Sequence, residues 1–320
     1  MKSVNQVNEI LKLFREKNDF IVCGHINPDG DAISSCFALA IILSNAGKNV
    51  KVLLEPYAAK FNVIPGKHLL YTGPLDGLCA DVMVLLDCGE PSRLGSFKPI
   101  YDNADTTICI DHHMTNIGFA NYNYIEKDAS STSELIYNLL SEEYEITTEI
   151  ASAIYAGIVC DTGGFRFDSA TPETLQVAAK LMSLNIPFAN IYTEIVHRHS
   201  YSEAKTFGKT ISLCEQTLNN RIVYSCVDRE TMDEIGANSQ DMEGAVEFML
   251  NIQDAEVSVL IYEKNKGESK ISLRSKKANV GSVASKLGGG GHMLAAGCSK
   301  NGEIGDILND VLALLKQEME

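Results

Sequence analysis

The spacing of apolar positions changes several times along the first half of the chain. Residues 4–17 place Val4, Val7, Ile10, Leu11 and Phe14 at helical intervals, which predicts an amphipathic opening helix. A short run of β-formers follows at 19–24 (DFIVCG), then a polar loop, then a helical stretch of small residues at 32–45 that Gly47 ends. Residues 49–54 (NVKVLL), 82–86 (VMVLL) and 106–110 (TTICI) are apolar runs bounded by turn residues and too short for helices. Strands alternating with helices predict an α/β domain on a parallel, doubly wound sheet covered on both faces.

Helical spacing resumes at 131–143, 147–159, 172–184 and 188–196. Pro187 and the polar stretch HRHSYS then interrupt the pattern, so the expected division is a first domain over 1–190, a linker over 191–205 and a second domain over 206–320. Beyond the break, alternating runs at 221–227 (RIVYSCV), 256–262 (EVSVLIY) and 270–274 (KISLR) mix with helical pieces at 245–250 and 304–315. This predicts a smaller mixed-sheet α/β domain.

Four segments bearing Asp or His each follow an apolar run: GHINPDGD at 24–31, Asp87 at the end of VMVLLD, Asp111-His112-His113 after TTICI, and Asp161 after IASAIYAGIVC. The carboxyl ends of parallel strands share one edge, and ligands bind in crevices there. That edge would gather Asp29, Asp31, Asp87, Asp111 and Asp161 with His25, His112 and His113. So many carboxylates repel one another unless cations lie between them. A mixed carboxylate and imidazole set suits Mn²⁺ or a similar first-row ion, whereas Ca²⁺ prefers all-oxygen sites and structural zinc sites favour thiolates. Two ions roughly 3.5 to 4 Å apart would clamp an in-line phosphoryl displacement. Taken alone, Asp31 or Asp87 reads as a helix cap or loop residue; the coincidence of the segments carries the metal reading.

In the second half, Gly288, Gly289, Gly290, Gly291 and His292 run on to Ala295-Ala296-Gly297, which suggests a nest of backbone N–H groups for a phosphate with His292 at its lip. Arg274 and Ser275 stand in the basic stretch SLRSKK, where Arg274 offers a bidentate fork; Lys276 and Lys277 fit a solvated face as well as a phosphate site. Arg166 in GGFRF follows Asp161 closely enough to reach a phosphate but fits a loop residue paired to a surface acid nearly as well, while His197 and His199 read as solvated. No GxxxxGK[ST] or GxGxxG occurs, which removes ordinary nucleotide-triphosphate and dinucleotide-cofactor readings.

Composition narrows the partners. The formal charge of −15 makes the surface repel polyanions, so long duplex DNA is excluded and any phosphate ester must meet a local positive site; two divalent cations would bring −15 to −11 there. The nine cysteines form no CxxC pair and several sit in apolar runs, so they read as small hydrophobes in a reducing compartment. The opening residues lack a signal-peptide apolar core and no stretch is long enough to span a bilayer, so no membrane association and a cytoplasmic location are expected.

With GHINPDGDAISS, LLDCGEP, IDHHMTN, IVCDTGGFRF and GGGGHMLAAG in this order, the sequence resembles the DHH phosphoesterase family. It is most similar to the branch of small bacterial oligoribonucleases that also act as 3′-phosphoadenosine 5′-phosphate (pAp) phosphatases. The resemblance implies two Mn²⁺ ions, with Mg²⁺ or Co²⁺ able to stand in. His25, Asp29 and Asp87 would hold one, Asp31, Asp87, His112 and Asp161 the other, with Asp87 bridging. Asp111 would support the motif from behind, and His113 would face the scissile phosphate. The C-terminal domain would cap the cleft, with Arg274, Ser275, Gly288 to Gly291 and His292 holding the substrate's terminal phosphate or base. The implied substrates are short single-stranded RNA, linear dinucleotides and pAp, and a homodimer is compatible with all of this. Alternatives are a cyclic-dinucleotide phosphodiesterase, the superfamily's manganese inorganic pyrophosphatase, whose C-terminal domain lacks the GGGGH segment, and a catalytically silent nucleotide-binding protein.

Overall fold

Burial along the early strands follows the predicted pattern. β1 (Asp19–Cys23), β3 (Val82–Leu86) and β4 (Thr107–Asp111) are almost wholly buried, as strands covered on both faces must be. With β2 (Asn49–Leu53) and β5 (Tyr122–Ile125) they form an all-parallel sheet in the order β2-β1-β3-β4-β5. The structure is a computed structural model that describes residues 6–239, 241, 242 and 244–319. The opening helix, α1, runs Val7–Glu16; Val4 lies outside the described residues.

Alternate residues of the strands pack in opposite directions. Phe20, Val22, Val84 and Ile110 join one core with α2 (Gly30–Asn45), and Ile21, Cys23, Met83 and Leu85 join another that includes Ile100 of the short α3 (Lys98–Asp102). The first of these cores also takes in α4 (Thr132–Leu140), α5 (Thr148–Asp161), α6 (Pro172–Met182) and α7 (Phe188–Tyr192). α2 is buried on nearly all sides, which its run of Ala, Ile, Ser, Cys and Leu permits. β5 escaped the sequence reading because the polar NYNY stretch has no apolar run to mark it.

The chain divides into two compact units, Met1–Arg198 and His199–Glu320. Residues 191–205, expected as a linker, are largely helical. α7 ends at Tyr192, a π-helical turn covers Thr193–His197, and α8 (Tyr201–Ser212) starts inside the supposed linker. The reason is a capping box: Ser200 accepts from the Glu203 N–H while Glu203 reaches back to the Ser200 N–H.

The second unit holds a mixed sheet in the order β10-β11-β9-β8-β7-β6, where β7 and β8 are parallel and the other pairs antiparallel. These strands are β6 (Glu215–Thr217), β7 (Ile222–Val227), β8 (Val257–Asn265), β9 (Glu268–Ser275), β10 (Gly290–Gly291) and β11 (Ala295–Asn301). One apolar cluster packs α11 (Val280–Lys286) and α12 (Ile304–Met319) against the sheet; another packs α9 (Arg229–Ile235) and α10 (Ala245–Leu250). All nine cysteines are free thiols, and Cys23, Cys36, Cys88, Cys109 and Cys298 are buried as expected of small hydrophobes. No helix among the described residues is long and apolar enough to cross a membrane.

Candidate metal centre

The parallel sheet puts three of the sequence segments at one edge. His25 follows β1 by two residues, Asp87 follows β3 directly, and Asp111 ends β4 with His112 and His113 after it. Helices bring the remainder. Asp29 is the N-cap of α2, Asp31 lies in its first turn, and Asp161 is the last residue of α5. Asp29 divides its work: Oδ1 accepts from the N–H groups of Asp31 and Ala32, while Oδ2 lies 3.7 Å from His25 Nε2.

Asp87 is at the centre. Its Oδ2 lies 3.7 Å from His25 Nε2, and its Oδ1 lies 3.5 Å from His112 Nε2 and 3.6 Å from His113 Nδ1. Asp87 is 1% exposed and its φ of 55° is in the left-handed region, so the surrounding contacts, rather than local preference, fix where the carboxylate points. His112 Nε2 also lies 3.1 Å from Asp161 Oδ2. Among the described residues, three groups have ligand atoms mutually within 4.8 Å: His25, Asp29 and Asp87; Asp31, His112 and Asp161; and Asp87, His112 and His113.

Outer contacts orient these rings. The Ala129 carbonyl, which can only accept, lies 3.2 Å from His112 Nδ1; a proton there leaves the Nε2 lone pair facing the carboxylates. The Ile26 carbonyl lies 2.7 Å from His25 Nδ1 and the Arg93 guanidinium, which can only donate, lies 2.9 Å from the same nitrogen, so these two neighbours favour opposite tautomers of His25. His25 Nε2 is buried with no hydrogen-bond partner, although it faces two carboxylates. An orphaned imidazole nitrogen among oxygens, with no thiolate in the three groups, fits a divalent cation of the Mn²⁺ or Mg²⁺ type. Asp111 lies outside the ring of ligands. It is fully buried, takes a 2.7 Å bond from His113 Nδ1 and a 2.6 Å bond from Asn116 Nδ2, and leaves His113 Nε2 as the free end of that ring.

Burial and the facing carboxylates and imidazoles set the charge balance of these groups. Burial opposes the charge on His25, yet the Asp29 and Asp87 carboxylates push its pKa up to about 10. Burial likewise opposes the charge on His112, and Asp161 and Asp87 override it and raise its pKa. Burial and neighbouring carboxylates raise Asp31 and Asp161, whereas at Asp87 the facing His112 and His25 imidazoles overcome burial and lower it. The Asp111 bond raises His113. A cation entering this site would compete with protons for these groups.

The sign of the pH effect follows. The folded-state pKa values of His25 and His112 lie above the ordinary 6.5, so their stabilisation is complete below that pH and is lost as pH rises toward about 10 for His25. Asp31 and Asp161 change in the same direction, and Asp87, lowered, is fully ionised throughout. Thermal melts at pH 6.5, 7.5 and 8.5 should therefore show the Mn²⁺-induced gain in Tm over EDTA growing with pH. A gain that stays flat or shrinks would contradict this assignment.

Arg166 is exposed on the loop after α5, its guanidinium 5.2 Å over the Phe167 ring. Arg274 on β9 is already engaged, with Nη2 2.8 Å from Glu247 Oε1 and Nη1 donating to the Leu273 carbonyl. It lines a cavity of about 350 Å³ with Glu247, Tyr262, Lys270 and Ser272. Strand alternation turns Ser275 to the opposite face, where it is buried and accepts from the Lys277 N–H. The glycine run is a helix end followed by an edge strand, and two of its donors, the Gly288 and Gly289 N–H groups, are already bonded. Gly288 (φ +83°) ends α11 with its N–H bonded to Ser285 and the Gly289 N–H bonded to Ala284, and the His292 N–H bonds to Ala295. Gly289 and Gly291 exist for close approach: a Cβ on either would lie within 2.5 Å of the β11 backbone. His292 is exposed.

Sequence reasoning missed the residues that support the centre. Thr132 and Ser133 at the start of α4 donate their N–H groups to the two oxygens of Asp31 at 2.6 and 3.0 Å. Gly157 in α5 leaves the room that Asp31 and Ser133 occupy. The Ser131-to-Glu134 pattern was readable as a helix start, but nothing local shows what that helix end touches.

Comparison with known proteins decides the family. Residues 19–158 match the model described as "DHH family, N-terminal domain", and residues 219–320 match the DHHA1 domain. A bifunctional oligoribonuclease and PAP phosphatase NrnA of Thermus thermophilus is 30% identical over 317 residues, covering 98% of this chain and 93% of that protein. The chain belongs to the DHH family of phosphoesterases. As a DHH protein it is a hydrolase acting on phosphate esters. Its fold matches a solved exopolyphosphatase-related protein of Bacteroides fragilis with a TM-score of 0.87 at 26% identity, covering 97% of this chain and 95% of that one. It also shares its fold with RecJ of T. thermophilus, solved in complex with Mn²⁺, at a TM-score of 0.53 and 14% identity; the match covers 99% of this chain and 55% of RecJ.

Proposed function

We propose that this DHH protein is a Mn²⁺-dependent phosphoesterase that hydrolyses short oligoribonucleotides and linear dinucleotides to mononucleotides, and pAp to AMP. The observation that carries the reading is the meeting of His25, Asp29, Asp31, His112 and Asp161 around Asp87, with the buried His25 Nε2 lacking a protein partner. Its similarity along nearly the full chain to a bifunctional oligoribonuclease and PAP phosphatase supports the substrate class.

His25, Asp29 and Asp87 would hold one cation and Asp31, Asp87, His112 and Asp161 the other. When bound, such a pair supplies an activated water and positive charge against the phosphoryl oxygens. The chain's own groups do the rest. Asp87 aims one oxygen at the His25 side and the other at the His112 side. Asp111, fixed by Asn116, holds the His113 ring and raises its basicity. His113 Nε2 then carries a proton for the nucleoside oxygen that leaves as water attacks phosphorus in line. Arg274 and His292 of the second unit would bind the far end of the substrate.

The test is a rate panel on pApA, a longer RNA, pAp, cyclic di-AMP and pyrophosphate, with Mn²⁺ and with EDTA. Turnover of pApA and pAp with Mn²⁺ alone, exceeding that of the longer RNA, is expected. Pyrophosphate or cyclic di-AMP as the best substrate would replace the reading, and binding without hydrolysis would mark a silent site. In the same assay, His292→Ala should raise KM for pApA with little change in kcat.

A further inference from the structure

Thr132 touches ligands of both expected cation positions. It is fully buried at the first position of α4, its N–H donates to Asp31 Oδ2 at 2.6 Å, and its hydroxyl donates to Asp87 Oδ1 at 3.1 Å. The hydroxyl is not needed to cap α4, because Ser131 already does so by accepting from the Glu134 N–H. It bonds instead to the carboxylate oxygen that lies 3.5 Å from His112, and so leaves the other oxygen toward His25. Because Asp87 sits at φ 55°, its side-chain direction depends on such contacts.

The start of α4 is itself anchored by an unusual group. Glu134 is 3% exposed, and its Oε2 accepts from the Ser130 N–H at 3.2 Å, the Ser130 hydroxyl at 2.6 Å and the Thr174 hydroxyl of α6 at 2.8 Å. A buried carboxylate bonded to three neutral donors is costly to form and stiff once formed.

We propose that Thr132 is a positioning residue that fixes the separation of Asp31 and Asp87, and with it the spacing of the two cations, and that Glu134 keeps Thr132 in register. This rests on the two-cation reading above. Outer-shell partners of this kind typically change metal affinity by tenfold to a hundredfold, at order-of-magnitude precision, when removed.

Calorimetric Mn²⁺ titration of the full chain tests it, alongside melts in EDTA. Thr132→Val keeps the N–H and the volume but loses the hydroxyl; Thr132→Ser keeps the hydroxyl. Thr132→Val should bind at least one Mn²⁺ roughly tenfold or more weakly while melting in EDTA close to wild type, and Thr132→Ser should bind as wild type does. Wild-type affinity in Thr132→Val, or a large fall in its EDTA melting point with affinity unchanged, would overturn the proposal. A wild-type chain that binds fewer than two Mn²⁺ would instead remove the reading on which it stands.

Discussion

Asp87→Ala should fold and yet hydrolyse phosphate esters at no more than about a thousandth of the wild-type rate, the scale at which loss of a central catalytic group is usually felt. The side chain lies between the His25 side and the His112 side, so its removal takes a ligand from both expected cation positions at once. Folding should survive because the methyl group fits where the carboxylate was. The left-handed backbone at φ 55° costs alanine only about 1 kcal/mol more than aspartate. Circular dichroism and kcat on pApA in Mn²⁺ read both halves. A folded variant with a tenth or more of wild-type activity would end the bridging assignment.

Gly157→Ala should be destabilising, although alanine in a helix interior ordinarily stabilises by about 1 kcal/mol relative to glycine. The added Cβ would lie 2.0 Å from Ser133 Oγ and 2.6 Å from Asp31 Oδ1, where α2, α4 and α5 meet. Asp31 is bonded through both oxygens to the start of α4, and Ser133 is fully buried, so packing rather than a hydrogen bond opposes the turning of its hydroxyl. Overpacking of this kind costs roughly 1 to 3 kcal/mol, and here it would also displace a proposed metal ligand. Gly208 of α8 is the control, since a Cβ there meets nothing within 4 Å, and Gly208→Ala should raise Tm. Equal gains for both variants would show that Asp31 is not packed as described.

The residues that carry the proposed chemistry were legible because each stands directly after a run whose period identifies its element. His25, Asp87 and Asp111 follow apolar strands, and parallel topology alone brings strand ends together. Thr132, Ser133 and Gly157 were not legible, since a helix start and a helix glycine look the same wherever they pack. The second unit was harder for a related reason. β10 and β11 are rich in Gly and Ala, so no alternation marks them, and the glycine run suggested free donors where the chain bonds the Gly288 and Gly289 N–H groups itself. α8 was hidden by the polar HRHSYS stretch, although its Ser200 and Glu203 carried a helix-start signal.

Anomalous diffraction at the manganese edge, from crystals grown with Mn²⁺, tests the central claim most directly. Two peaks about 3.5 to 4 Å apart are expected, one beside His25 and Asp29, one beside Asp31, His112 and Asp161, with Asp87 touching both. A map with no peak at Asp87, or with these side chains turned away from one another, would contradict it.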